Sequence, residues 1–407
     1  MTLPLVSVII ATYNRAGYII PAVESALGQT YRPIEIIVVD DGSTDHTRAV
    51  LVPYADRLTY IWQENQGEAA ARNTAIQHSR GQYMAILDSD DLWLPNKLEK
   101  QIALLENLPE VVLVAAQALP IDGDGRLLAQ RATFPAQPMG AVDIATILMD
   151  SPLVASTLVV RRHCLPKPLP FTPGLRYVDW EMCLRVASHG VIWFQPEILT
   201  HIRVHNQNDS YPLAGRQQIE RRLAHRLDIL DRVWPELPIP AGQREALRRQ
   251  FEARELAETA IPGYVNDDLE IASQRLARAL RLDPDTWQRG PALENLMLHY
   301  AGLVWRADGE AAAWTFLRRF MAHLPPELAQ PERLRRRVYA QVHIFTLADA
   351  LERQGDLGAV RRHLWAAVRL DPTQLANRGV LARLARSLGW RRANYAPPDV
   401  GTPGLES

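Results

Sequence analysis

Cysteine is scarce in this chain: Cys164 and Cys183 are the only two in 407 residues. Two thiols so placed make neither a disulfide framework nor a metal-ligand spacing, and a reducing cytoplasm is the expected compartment. Long apolar runs are missing as well. VVLVAAQALPI, residues 111–121, falls well short of the roughly 18 residues a membrane helix needs, and reads as a core strand. MTLPL leads directly into a strand pattern, so no leader peptide is expected. No block of one charge sign stands out, the net charge is −1, and no nucleic-acid reading motif is present. Nucleic-acid binding is therefore not expected.

What is present is ordinary for a globular protein: 47% hydrophobic and 22% charged residues. The length exceeds what one compact domain usually holds. The charge is uneven. Residues 1–214 hold 16 Lys+Arg against 22 Asp+Glu, whereas residues 215–407 hold 29 Arg, no Lys and 24 Asp+Glu. That split predicts two domains with different tasks.

The first half alternates short apolar runs with amphipathic stretches. VSVIIA (6–11), IEIIVVD (34–40), LTYIWQ (58–63) and YMAILD (83–88) read as strands. YIIPAVESALGQ (18–29), EAAARNTAIQHS (68–79) and PNKLEKQIALLE (95–106) read as helices, with Gly81 expected as the stop of the second. Such alternation predicts a mostly parallel sheet covered on both faces, with ligands at the carboxyl ends of strands. Polar residues gather at those ends: Thr12, Tyr13 and Asn14, then Asp40 and Asp41, then Asp88, Asp90 and Asp91.

From about residue 216 the texture becomes helical and Arg-rich. Ile219, Leu223, Leu227, Leu230 and Trp234 form one stripe, stopped by Pro235. ALRLDP (279–284) recurs as AVRLDP (367–372), a helix-ending turn common in tetratricopeptide-type hairpins, although the 88-residue spacing is not a regular array. Residues 215–395 are expected to form a helical domain and residues 396–407 a disordered tail.

Carboxylates repel, so the Asp-Ser-Asp-Asp cluster after a buried strand needs a cation or a hydroxyl-rich ligand. Mg2+ and Mn2+ favour carboxylate and phosphate oxygens and bind through one or two carboxylates plus substrate phosphates. An isolated acidic tetrapeptide would be a solvated turn; two further polar strand ends beside it favour metal and nucleotide. After the second strand, the turn in VVDDGSTD requires one acid only. The other is left to accept from a base N–H or a ribose hydroxyl.

The ordered set SVIIATYNRAGYI, QTYRPIEIIVVDDGSTD, NQGEAAARNTAI and GQYMAILDSDDLWLPNKL resembles family 2 glycosyltransferases of the GT-A fold, and the resemblance runs to about residue 212. It implies an α/β, Rossmann-like, doubly wound catalytic domain over residues 1–214. Thr12, Tyr13 and Asn14 would line a nucleotide pocket, Asp41 would hold the base, and Arg72 would reach the nucleotide. Asp88 and Asp90 would contact ribose or sugar, with Asp90 and Asp91 favoured as metal ligands. RYVDWEMCLRVASHG (176–190) resembles the acidic element of the family, with Val178 in place of its first acid. Asp179 would be the base that takes the acceptor proton, with Glu181 in reserve. IRVHNQNDSY (202–211) resembles the Arg-x-His…Ser segment that closes the domain, and His205 would contact diphosphate or metal. Trp93 and Trp180 follow the two acidic motifs, either stacking on sugar or packing under their helices.

The resemblance implies an inverting, non-processive transferase that uses Mg2+ or Mn2+, a nucleotide-diphosphate sugar (UDP-sugar favoured) and a glycan or lipid-linked acceptor, in cell-surface glycan or polysaccharide synthesis. The Gln-x-x-Arg-Trp motif of processive synthases is absent. A nucleotidyltransferase would need a Gly-rich basic loop after the first strand, where ATYNRAGY supplies one Gly and one Arg. A non-catalytic sugar-nucleotide-binding adaptor is the other alternative. The helical half is expected to bind a protein partner or simply to pack against the catalytic domain, with docking on the inner face of a membrane through its arginines as the alternative.

Overall fold

The computed structural model describes residues 3–128, 139–149, 153–168, 170–205, 215–344 and 356–376. They fall into two compact units. One takes the described residues before 211 together with Gln217–Arg254, and the other takes Gly215, Arg216 and those from Glu255 on.

In the first unit, β1 (Val6–Thr12), β2 (Ile34–Asp40), β3 (Thr59–Trp62) and β4 (Tyr83–Ile86) run parallel in the order β3-β2-β1-β4. The sheet then changes sense. β8 (Val159–Arg161) pairs antiparallel with β4 and with β6 (Val111–Ile121), while β9 (Val191–Arg203) runs parallel to β6. β5 (Leu92–Trp93) and β7 (Gly140–Val142) both pair antiparallel with β9. The expected parallel sheet is thus the first four strands of a nine-stranded mixed sheet.

The two faces follow the period of a strand. Val6, Val8 and Ile10 pack with Ala22 and Val23 of α1 (Ile19–Leu27) and Leu98 and Ile102 of α4 (Lys97–Asn107). Ile9 points the other way, into a core with Ala71 and Ala75 of α3 (Glu68–His78) and Val178 and Trp180 of α6 (Val178–Val186). Both faces are therefore covered. Thr12 lies level with Asp40, so the carboxyl ends of β1 and β2 share one edge. Short helices α2 (Thr47–Leu51) and α5 (Ile144–Met149) complete the layers.

Two expectations need correcting. The boundary near residue 214 falls short of the end of the first unit. Ile229, Leu230 and Val233 of α7 (Arg216–Val233) and Phe251 of α8 (Ala241–Val265) lie in the same core as Trp180. Phe251 stacks on Trp180 at 5.5 Å between ring centres, and the Arg226 guanidinium covers the Trp180 ring at 4.2 Å. The buried face of α7 accordingly includes Arg226, Ile229 and Val233 beside Ile219 and Leu230, while Leu223, Leu227 and Trp234 are half-buried. Gly81 does not end α3, whose C-cap is Ser79. Its N–H donates to Ser7 Oγ at 2.8 Å, and a Cβ there would lie 2.5 Å from the Ser7 backbone nitrogen. Glycine is required because the chain passes against β1.

The second unit is helical, as expected. Beyond the end of α8 come α9 (Leu269–Leu282), α10 (Ala292–Asp308), α11 (Glu310–Ala322), α12 (Pro331–Gln341) and α13 (Leu357–Leu370). α10 packs on α11 and α12 on α13. The sequence repeat is visible in the helix ends. Asp268 and Asp356 begin α9 and α13, and the Asp356 side chain accepts from the Ala359 N–H. Asp283 and Asp371 close them at φ −140° and −139°, each before a proline. On α13, His363 Nδ1 faces His343 Nδ1 at 2.9 Å. The Trp314 ring lies 4.7 Å from His343, and Glu310 Oε1 lies 3.9 Å from His363 Nε2. The expected tail, 396–407, lies outside the described residues.

Candidate functional site

β4 delivers its chain to the edge where β1 and β2 end, and the turn Asp88–Asp91 follows, closed by the Asp91 N–H to Asp88 carbonyl bond at 3.1 Å. The three aspartates of the turn have different surroundings. Asp91 is 3% exposed. Its Oδ2 accepts from Ser156 Oγ at 2.6 Å and its Oδ1 from the Arg203 backbone N–H at 2.8 Å. Both oxygens are held inward by the scaffold. Asp90 faces His205, with Oδ2 3.1 Å from Nε2, and Arg15, with Oδ2 3.6 Å from Nε. Asp88 has about a third of its side chain exposed, 32%, and accepts from Arg72 Nη2 at 2.6 Å.

Arg72 is buried on α3, between Glu68 Oε1 at 2.5 Å and Asp88. Burial opposes its charge, but Glu68, Asp88 and Asp179 outweigh that and raise its pKa. Burial is the main influence on Asp88, pushing its carboxyl up to about 7. Arg72 opposes the shift, and Glu68, Asp90 and Asp179 add to it. Asp91 is also raised well above the carboxylate range, by burial and then by Asp88 and Asp90. Asp179, on the first turn of α6, is therefore close enough to influence both Arg72 and Asp88. The residue before α6, Tyr177, has φ 61°, a left-handed conformation uncommon for a side chain of that size.

Glu181 does not join this group. It is 1% exposed, accepts from the Thr172 hydroxyl at 2.5 Å and the Thr172 N–H at 3.1 Å, and pairs with Arg185 at 3.6 Å. Two positions along a helix turn a side chain by about 200°, which separates it from Asp179.

The polar ends of β1 and β2 are stitched together. Asn14, at φ 52°, donates its N–H to Ser43 Oγ at 2.9 Å. Its Oδ1 accepts from the Thr44 N–H at 2.8 Å and the Asp45 N–H at 3.3 Å. Asp41 accepts from Gln63 Nε2 at 2.7 Å and from the N–H groups of Gln66 at 3.0 Å and Gly67 at 2.7 Å. Its carboxylate thus shapes the loop that leads into α3. Tyr13 is exposed, and Thr12 Oγ1 is buried with no hydrogen-bond partner among the described residues.

Trp93 and Trp180 are both packed inside. Trp93 Nε1 donates to the Ser156 carbonyl at 2.7 Å, and Trp180 Nε1 to the Ile147 carbonyl at 2.9 Å. Neither ring face is available to a sugar. His205 stacks on Tyr18, ring centres 5.2 Å apart, and Arg203 holds the DGDG turn through the Asp122 and Gly123 carbonyls at 2.9 and 2.8 Å. Ser210 lies outside the described residues. Ser156 and Arg15 carried no sequence signal as site residues, because a serine in an apolar stretch and a single arginine in a loop match no pattern.

Carboxylates and one imidazole suit a hard divalent cation by chemistry. Among the described residues, however, no three His, Cys, Asp or Glu are gathered to hold an ion by themselves. A cation that keeps waters and takes phosphate oxygens needs only one or two protein ligands, which Asp88, Asp90 and His205 can supply.

The glycosyl transferase family 2 model matches residues 7–146. An uncharacterised glycosyltransferase of Rickettsia typhi is 37% identical over 210 residues, covering 50% of this chain and 65% of that protein. The UDP-Glc:alpha-D-GlcNAc-diphosphoundecaprenol beta-1,3-glucosyltransferase WfaP of Escherichia coli is 34% identical over 204 residues, covering 49% of this chain and 78% of that protein. The chain spans just under two thirds of the two Rickettsia relatives, 65% and 64%. The crystal structure of S. aureus TarS residues 1–349 in complex with UDP-GlcNAc matches with a TM-score of 0.54 at 17% identity, over 78% of this chain and 92% of that one. The likeness is one of fold, GT-A with helices following.

Proposed function

The chain belongs to glycosyl transferase family 2, and on that premise we propose that it moves a sugar from a nucleotide-diphosphate sugar to an acceptor hydroxyl in glycan synthesis. The observation that carries the reading is the gathering of Asp88, Asp90 and Asp179 around buried Arg72 at the carboxyl end of β4. Such crowding is unfavourable without a ligand that brings positive charge.

Asp90 and His205 would hold Mg2+ or Mn2+ with Asp88 beside them. Asp91 would anchor the turn rather than ligate, since both its oxygens are engaged. The cation, when bound, offsets the charge of the departing diphosphate. Asp179 takes the proton of the acceptor hydroxyl as its oxygen attacks the anomeric carbon. The bond from that carbon to the diphosphate breaks on the opposite side, so the configuration inverts. Arg72 pairs with Asp88 at 2.6 Å and offsets part of the negative charge of the crowded site. Thr12 Oγ1, buried without a partner among the described residues, and exposed Tyr13 would face the nucleotide, with Asp41 and Asn14 shaping the pocket wall. Glu181 is left to the structure of α6.

A UDP-sugar donor and a lipid-linked glycan acceptor are favoured because WfaP, by its name, uses both. One transfer per encounter, at the inner face of a membrane, completes the proposal. No helix of the described residues is long and apolar enough to cross a membrane.

Calorimetric titration of the purified chain with UDP, GDP and TDP, each with and without Mn2+, tests the reading. Metal-dependent binding of UDP is expected. Folded protein that binds none of the three would overturn it.

A further inference from the structure

The turn Ala155–Thr157 reaches the acidic pocket through one side chain. Ser156 is fully buried. Its hydroxyl donates to Asp91 Oδ2 at 2.6 Å and accepts the Asp88 N–H at 3.0 Å. A single oxygen therefore pins both ends of the turn that bears the aspartates. With Asp91 held inward, the side chains of Asp88 and Asp90 remain on the side of Arg72, Arg15 and His205.

The turn is itself framed from behind. Trp93 Nε1 and Thr200 Oγ1 both donate to the Ser156 carbonyl, at 2.7 and 3.2 Å. Gln101 Nε2 donates to the Thr157 carbonyl at 2.9 Å. Lys97 Nζ donates to Gln101 Oε1 at 2.7 Å and lies 4.2 Å from the centre of the Trp93 ring. Lys97 is fully buried and has no acid partner among the described residues. A buried lysine without an acid is costly. Here its amine touches the two side chains that hold the turn, which gives the cost a purpose.

We propose that Ser156 is a positioning residue of the donor site, and that Lys97, Gln101 and Trp93 are the frame that sets it. By holding Asp91 inward and taking the Asp88 N–H, the hydroxyl aims the Asp88 and Asp90 carboxylates at the metal and diphosphate without touching either. This rests on the proposed donor site.

The test uses the full chain and its Ser156→Ala, Lys97→Met and Trp93→Phe variants. Three quantities are read: Mn2+-dependent UDP affinity by calorimetry, the thermal midpoint, and the KM for Mn2+ against kcat. Ser156→Ala is expected to weaken Mn2+-dependent UDP binding and raise the KM for Mn2+ about tenfold, the lower end for a disturbed metal surrounding. The smaller changes at Lys97 and Trp93 should weaken binding in the same direction. A purely structural role would lower the midpoint and leave the affinity of the folded protein unchanged, and that result overturns the inference. If Ser156→Ala does not fold, unchanged affinity in both frame variants overturns it equally. Absence of Mn2+-dependent UDP binding in the unaltered chain is a different failure, which removes the donor site and the inference with it.

Discussion

In the first unit, Glu68, Asp88 and Asp179 crowd around the buried guanidinium of Arg72, with Asp90 acting on Asp88. In the second, arginine is spread over helix surfaces and meets acids a turn away: Arg289 with Asp285 at 2.5 Å, Arg335 and Arg336 with Glu332 at 3.0 and 3.2 Å. Exposed pairs of the second kind contribute from nothing to about 1 kcal/mol and weaken with salt. Crowding of the first kind works against the fold until a ligand arrives. Charge that is paired locally is a surface; charge that is gathered and unbalanced is a site. That distinction separates the unit expected to do chemistry from the helical one.

The largest effect that would sharpen the contrast is on turnover. Asp179→Asn is expected to lower the transfer rate about a thousandfold, the usual scale for loss of a general base, with UDP affinity little changed. Normal turnover in single-turnover kinetics would break the assignment. Asp90→Asn should weaken Mn2+-dependent UDP binding about a hundredfold, the upper end for a damaged metal surrounding, as read by calorimetry. Equal affinity would remove Asp90 from the ligand set.

Proton dependence should separate the units next. Asp88 binds its proton more tightly in the folded chain, with a pKa of about 7, than in the unfolded one, at about 3.9. Its contribution to stability is therefore full below about pH 4 and lost as pH rises through 7. His343 is the reverse, held down to about 4 by burial and by His363. Its contribution is full above about pH 6.5 and is lost as pH falls toward 4. Metal-free hydrogen exchange at pH 7.5, 6 and 5 should show α12 and α13 loosening with acid while the Asp88–Asp91 turn tightens. Parallel responses would contradict both shifts. The smallest effect is expected at the surface of the helical unit: Arg336→Ala should change stability by no more than about 0.5 kcal/mol and leave UDP binding alone, as read by thermal melting and calorimetry.

How much was legible follows from the same contrast. The strand-end acids stood out because charge after an apolar run breaks a pattern, and their order along the chain matched a known set. The four parallel strands were readable from their apolar periods. The rest of the sheet was less so, because β5, β7 and β8 are two or three residues long. Division of labour among the aspartates was hidden, since it depends on Ser156 and the Arg203 backbone N–H, which reach the turn from distant parts of the chain. Extension of the first unit to residue 254 was hidden for a related reason. A helical texture says nothing about which neighbour a helix packs against, and Arg226 lying over Trp180 is not a contact that polarity predicts.

The facing imidazoles of the second unit carry one further consequence. Two Nδ1 atoms 2.9 Å apart have room for one proton between them, so one ring must donate and the other accept. If His343 donates, His363 keeps its own proton on Nε2, toward Glu310 Oε1 at 3.9 Å. The pair then has a direction, from His343 through His363 to a carboxylate, and nitrogen-15 spectra should show one pyrrole-like and one pyridine-like Nδ1 rather than two averaged rings.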